Sequence, residues 1–202
     1  NDNSINGPVG LYFDGQEESM FPFLKKLRAK INGGLITLPT KNARGLVLLS
    51  YTTLPFIDHR TLAGHSNRWE ALTIANIWRS KGFSVDVVDF DNETFVPTKP
   101  YSFCIDVGHN LEKFTPHLPT TCIKIFHICT AHWKFQNEAE QKRIADISTK
   151  RGVALTPRRQ IPESHNINVC DIASMLGNTF TEQTYAFAHK KIVPIPVTTT
   201  HE

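Results

Sequence analysis

The sequence predicts an α/β protein built on a doubly wound, mostly parallel sheet with flanking helices. Three observations carry this. From Gly45 onward, short β-branched or apolar runs alternate with amphipathic stretches, the signature of parallel βαβ units. One such unit, residues 46–90, is complete: an apolar run, a capped helix and a second β-branched run. Finally, 202 residues with 40% apolar and 20% charged content are enough for one hydrophobic core of ordinary globular composition.

The elements follow in order. Residues 1–44 read as an N-terminal arm. Asn, Gly and Pro dominate its opening, and residues 20–31 then form one amphipathic helix, broken by Gly33-Gly34. Phe21, Phe23, Leu24, Leu27 and Ile31 alternate there with Lys25, Lys26, Arg28 and Lys30, a pattern suited to packing on the domain or to peripheral membrane contact. The first strand spans 46–51. A helix over 66–82 starts at Ser66 or Asn67, with Asn67 and Glu70 as a capping box. Ala71, Ile74, Ala75 and Trp78 make its buried stripe, and Gly82 stops it. Residues 83–90 return as the next strand through a right-handed crossover.

Further strands are expected at 102–107, 122–128, 153–155, 169–176 and 192–196. Pro194 and Pro196 make the last an edge or exit segment. A helix over 137–150, boxed by Asn137 and Glu140, has few apolar positions and is expected to lie exposed on the sheet's flank. Another, over 179–189, opens with Thr179 and Glu182 as a box. The sum is a Rossmann-like sheet of about six or seven strands.

Composition narrows the function. The 22 basic and 19 acidic residues give a net charge of only +3, spread along the chain without the dense stripe that nucleic-acid binding needs. Cys104, Cys122, Cys129 and Cys170 form no CxxC pair, and three of them sit in apolar runs, so they read as reduced, packed thiols of a cytoplasmic protein. No apolar stretch approaches the ~18 residues of a membrane span, and no leader pattern opens the chain. The first residue is Asn, and residues 197–202 form no cap, which suggests a piece of a longer polypeptide. The stretch from Tyr51 to Gly64 lacks G-x-G-x-x-G, which argues against a dinucleotide-dependent oxidoreductase.

Four loose motifs, in order, then resemble one family. They are Trp78-Arg79-Ser80-Lys81-Gly82-Phe83-Ser84-Val85-Asp86-Val87-Val88; Tyr101-Ser102-Phe103-Cys104-Ile105-Asp106-Val107-Gly108-His109-Asn110; Cys170-Asp171-Ile172-Ala173-Ser174-Met175-Leu176-Gly177-Asn178-Thr179-Phe180-Thr181; and Lys190-Lys191-Ile192-Val193-Pro194-Ile195-Pro196. Their order over residues 45–197 resembles the N-terminal, acceptor-side domain of GT-B glycosyltransferases of the family-4-like kind. The resemblance implies one half of a GT-B fold, with residues 198–202 starting an interdomain linker. It places the nucleotide-diphosphate sugar donor in a C-terminal domain outside this chain, with no cofactor in this one. The implied partners are a glycan or lipid-linked acceptor and that second domain. The implied chemistry is sugar transfer of the retaining kind, resting on positioning and phosphate stabilisation, with this half alone inactive. The rival is a non-catalytic binding or scaffold domain.

Candidate site residues fall at predicted carboxyl ends of strands, where open α/β sheets bind ligands. The loop over 52–67 delivers Arg60, His65, Ser66 and Asn67 to a helix N-terminus, suited to a phosphate or acceptor; His65, Ser66 and Asn67 would also serve simply as caps. His109 follows Gly108, in a turn where the resemblance implies a contact to the transferred sugar. His132 beside Trp133 suits stacking on a sugar ring in an acceptor cleft, or burial in the core. Arg158 and Arg159, near Lys150 and Arg151, form the densest basic cluster, read as a solvated rim or an anion contact. His127-x-Cys129-x-x-His132 lacks a fourth ligand or second pair, so no metal site is predicted.

Overall fold

The structure, a computed structural model, describes residues 30–32 and 34–195. Eight strands form one sheet: β1 (Lys30–Asn32), β2 (Leu35–Leu38), β3 (Leu46–Ser50), β4 (Ser84–Val88), β5 (Phe103–Asp106), β6 (Ile123–Ile128), β7 (Ile172–Leu176) and β8 (Ile192–Ile195). Their spatial order is β1-β2-β4-β3-β5-β6-β7-β8. Strands β3 to β8 run parallel, and β1 and β2 extend the β4 edge in antiparallel fashion. The fold is α/β, mostly parallel and Rossmann-like. The chain moves to one side after β3 and to the other after β5, so the topological switch point lies between these two strands.

Side-chain alternation assigns each strand two faces. Val47, Leu49, Val85 and Val87 pack with Ala71, Leu72 and Ala75 of helix α2 (Ser66–Ser80) on one face. Leu48, Val88 and Cys104 pack with residues of the short helices α3 (Asn110–Phe114) and α5 (Asn166–Val169) on the other. Both faces of the central strands are therefore covered, which is why β3 and β4 read as nearly continuous apolar runs. Beyond α2, the first face is barer: Ile123, Ile172, Val193 and Ile195 remain exposed.

Helix α2 ends as its sequence predicts. Gly82 adopts φ +86°, Gly82 N–H donates to Arg79 O at 2.9 Å and Phe83 N–H to Trp78 O at 3.1 Å, the paired bonds of a Schellman motif. The rings of Trp78 and Phe83 meet edge to face at 5.3 Å and close it. The start differs from expectation. His65 is the N-cap, its Nδ1 accepting from Asn67 N–H at 3.3 Å, while Ser66 and Asn67 already belong to the helix. The Asn67–Glu70 box does not form because the Glu70 side chain turns into the core.

Other departures have similar causes. The sheet begins before the expected boundary at residue 45, because Leu35–Leu38 pairs with β4. Lys30 and Ile31 lie in β1 rather than in a helix; the rest of the expected amphipathic helix, and the linker over 198–202, fall outside the described residues. The 52–65 loop contains a helical turn, α1 (Leu54–Ile57), and a 3-10 turn (His59–Gly64). Residues 153–155 make no strand: Val153 and Leu155 are exposed, in an irregular segment that crosses the surface after Gly152 ends the preceding helix.

That helix, α4 (Trp133–Arg151), starts four residues earlier than the Asn137 box implies and buries none of its residues, in keeping with its polar pattern. Asn137 instead clamps the Ile161 backbone, donating to its carbonyl at 3.0 Å and accepting from its N–H at 2.9 Å. Asn178, not Thr179, caps α6 (Thr179–Gln183), accepting from Phe180 and Thr181 N–H groups. The predicted helix to 189 breaks into α6 and a 3-10 turn (Ala186–Ala188).

Candidate functional site at the carboxyl edge of the sheet

A buried polar network holds the loops above the switch point. Asp106, fully buried at the end of β5, accepts from the N–H groups of Asn110 (2.8 Å) and Leu111 (3.0 Å) and from Asn166 Nδ2 (2.6 Å). Asn110 Nδ2 donates to Ser50 Oγ at 3.1 Å and to Phe90 O at 2.9 Å, tying the ends of β3 and β4 to that of β5. Asn166 also donates to Gly108 O at 2.9 Å. The turn that carries His109 is thereby fixed from both sides: three N–H donors meet Asp106 Oδ2, while Oδ1 is buried with no hydrogen-bond partner among the described residues. Nearby, the Thr53 N–H and hydroxyl both donate to Asp89 Oδ2, at 3.0 and 2.9 Å. A hydrogen bond with Asp89 raises the Asp91 carboxyl above its ordinary value, while the charge of His109 pulls it the other way.

The residues predicted for phosphate or acceptor contact divide. Arg60 is 87% exposed and forms a two-pronged pair with Asp58, Nε and Nη2 each 2.9 Å from a carboxylate oxygen. This pairing holds the Asp58 carboxyl below its usual value. His65 and Ser66 are exposed at the start of α2, and Asn67 is half-buried in its first turn. Arg158 and Arg159 are exposed on the segment between α4 and α5, with Lys150 and Arg151 exposed at the end of α4. None of these residues lines either of the two clefts described below.

His132 and Trp133 do line a cleft, of about 470 Å³, assembled where the chain leaves β6 and passes α5 and α6. Phe135, Phe187, Glu138 and Asn168 share the lining. The His132 ring packs on Phe187 at 4.8 Å and Tyr185 at 5.2 Å between ring centres, and its backbone N–H donates to Thr184 Oγ1 at 3.0 Å. Burial, with the nearby charges of His165 and Lys134, holds the imidazole below its ordinary value, so it stays neutral at pH 7. The indole N–H of Trp133 has no hydrogen-bond partner among the described residues.

A second polar cluster joins His127 and Cys129 to side chains that the spacing His127-x-Cys129-x-x-His132 does not connect with them. At the head of α2, Glu70 accepts from the Tyr51 hydroxyl at 2.6 Å and faces His127 Nε2 at 3.2 Å. His127 Nδ1 lies 2.8 Å from Ser174 Oγ, and Cys129 Sγ is 4.0 Å from the Tyr51 hydroxyl. Burial raises both the Tyr51 hydroxyl and the Cys129 thiol, the latter to about 12, so both are protonated at neutral pH. A groove of about 280 Å³ reaches Glu70, His127 and Ser174 between α2 and the barer half of the sheet. One signal was legible: His127 interrupts the apolar run Ile123–Ile128, and a polar residue in a buried strand requires a partner. Which partner is a tertiary fact, since Glu70 lies 57 residues away.

Fold and site together define a Rossmann-like α/β domain whose polar and aromatic side chains collect at the carboxyl ends of its parallel strands. Comparisons with family models, with curated proteins and with solved structures find no match for this chain.

Proposed function

We propose that this chain is the acceptor-binding half of a glycosyltransferase, which moves a sugar from a nucleotide-diphosphate donor to a hydroxyl of a glycan or lipid-linked acceptor. The observation that carries the reading is the cleft at His132 and Trp133: flat aromatic faces beside Glu138, Asn168 and a neutral imidazole suit a sugar ring, which offers apolar C–H faces and a rim of hydroxyls. The fold agrees, because ligands of open parallel sheets bind at this edge. The order of the four motifs is the second support.

On this reading the donor-binding half lies beyond residue 202, and His109, held in its turn by the Asp106–Asn110–Asn166 network, contacts the transferred sugar. The chemistry then rests on positioning and on stabilising the leaving diphosphate, with the sugar passing to the acceptor hydroxyl.

The test is sugar transfer by a polypeptide that contains both halves, beside residues 1–202 alone. Transfer by the longer protein only is the expected outcome. Trp133→Ala should raise the acceptor KM about fivefold with the donor KM unchanged, the loss of one stacking contact of about 1 kcal/mol. Turnover by residues 1–202 alone overturns the half-enzyme reading. No turnover with any donor sugar favours the alternative, a non-catalytic binding or scaffold domain.

A further inference from the structure

The Tyr51–Glu70–His127–Ser174–Cys129 cluster has no part in the acceptor reading, and its composition has a chemistry of its own. A carboxylate oxygen of Glu70, a ring nitrogen of His127 and Cys129 Sγ all lie within 4.8 Å of one another. Two segments distant in the chain supply them: Glu70 from the second turn of α2, and His127 near the end of β6 with Cys129 just after that strand. In a tetrahedral zinc site with bonds of about 2.0–2.3 Å, ligand atoms sit roughly 3.3–3.8 Å apart. The Glu70–His127 gap of 3.2 Å lies within about 0.1 Å of that spacing.

The surrounding groups are placed as zinc sites require. A ligating imidazole donates its other ring N–H to a fixed partner, and a ligating carboxylate is hydrogen-bonded in turn. Ser174 Oγ stands 2.8 Å from His127 Nδ1, and the Tyr51 hydroxyl donates to the Glu70 oxygen that does not face His127. Nε2 is the ring nitrogen that faces Glu70 and Nδ1 the one that faces Ser174. With metal on Nε2, Nδ1 carries the proton and donates to Ser174, whose hydroxyl can serve as acceptor or donor.

We infer that Glu70, His127 and Cys129 form a mononuclear zinc(II) site. Thiolate with imidazole selects zinc over magnesium or calcium, which prefer all-oxygen shells. Three protein ligands leave one tetrahedral position, and Glu70 and His127 both line the groove beside α2. Binding releases the Cys129 thiol proton to solvent. The spacing His127-x-Cys129 supplies only two ligands; Glu70 completes the set through the fold, whereas His132 packs away among Tyr185 and Phe187.

The test uses the metal-stripped 202-residue chain. Nine histidines offer adventitious zinc contacts, so cobalt(II) is the probe: a thiolate-to-cobalt charge-transfer band should appear at one equivalent and be displaced by one equivalent of zinc. It should vanish in Cys129→Ser. Tyr51→Phe and Ser174→Ala should keep the band but weaken zinc binding about 10- to 100-fold, measured against a chromophoric chelator. Absence of the band in the unaltered chain overturns the assignment, as does a band that survives in Cys129→Ser or a zinc affinity unmoved by Glu70→Gln. Far-ultraviolet circular dichroism confirms that each variant is folded. The outcome is independent of whether the protein transfers sugars.

Discussion

At the scale of single residues, the consequential side chains are polar groups inside an apolar sheet. Asp106 stabilises the His109 turn because three N–H donors point at its Oδ2 in a fully buried position. Asp106→Ala leaves those donors buried without an acceptor. The expected loss is on the order of 3 kcal/mol of folding stability, read as a shift of the urea midpoint. His132 gives a pH dependence. Its folded pKa lies below the ordinary histidine value, so as pH falls below about 6.5 the unfolded chain takes up a proton that the folded cleft resists. Stability contributed by this residue is therefore complete above that range and is lost as pH drops through it. Thermal melting between pH 7.5 and 5.5 should show a decline that His132→Gln reduces; an equal decline in the variant would assign it to other groups. Nothing in the local sequence announced that Glu70 faces His127: Glu70 also fits a capping box, and His127 falls in an expected strand whose pattern calls for a polar partner without naming it.

At the scale of elements, local rules served best at the ends of helices and least well at their beginnings. Gly82 was identifiable because only a residue without Cβ readily holds φ +86°, and the Schellman bonds confirm it as the stop of α2. Gly82→Ala should lower stability by about 1–2 kcal/mol through left-handed strain, with little change in the fold as judged by circular dichroism. N-caps were each misplaced by one or more residues. Ser, Thr, Asn and His in a row offer several competent acceptors, and the one used is whichever the incoming chain leaves in an extended conformation. The false strand at 153–155 and the late start assigned to α4 have a common origin. Both lie in a surface excursion between β6 and β7 where few side chains are buried, so periodicity carries little information there.

At the scale of the whole molecule, all eight strands of the described residues belong to one sheet, and the two cores on its faces share the backbone of β3, β4 and β5. Unfolding should therefore be a single transition. Leu49→Ala, at a fully buried position of β3, should move that transition by about 2–5 kcal/mol with the urea slope unchanged. Two separated transitions would instead mean that the faces unfold independently. The sequence by itself determined the α/β class, the parallel core strands, the exposed polar character of α4 and the end of α2. These depend on burial period and backbone chirality within a dozen residues. Only the tertiary structure decided that residues 35–38 join the sheet, that Arg60 is taken up by Asp58 while His132 and Trp133 line a cleft, and that Glu70 meets His127 and Cys129. Each of these depends on contacts between segments distant in the chain or on the path of a loop, and strand order and loop paths set such contacts where no local pattern records them.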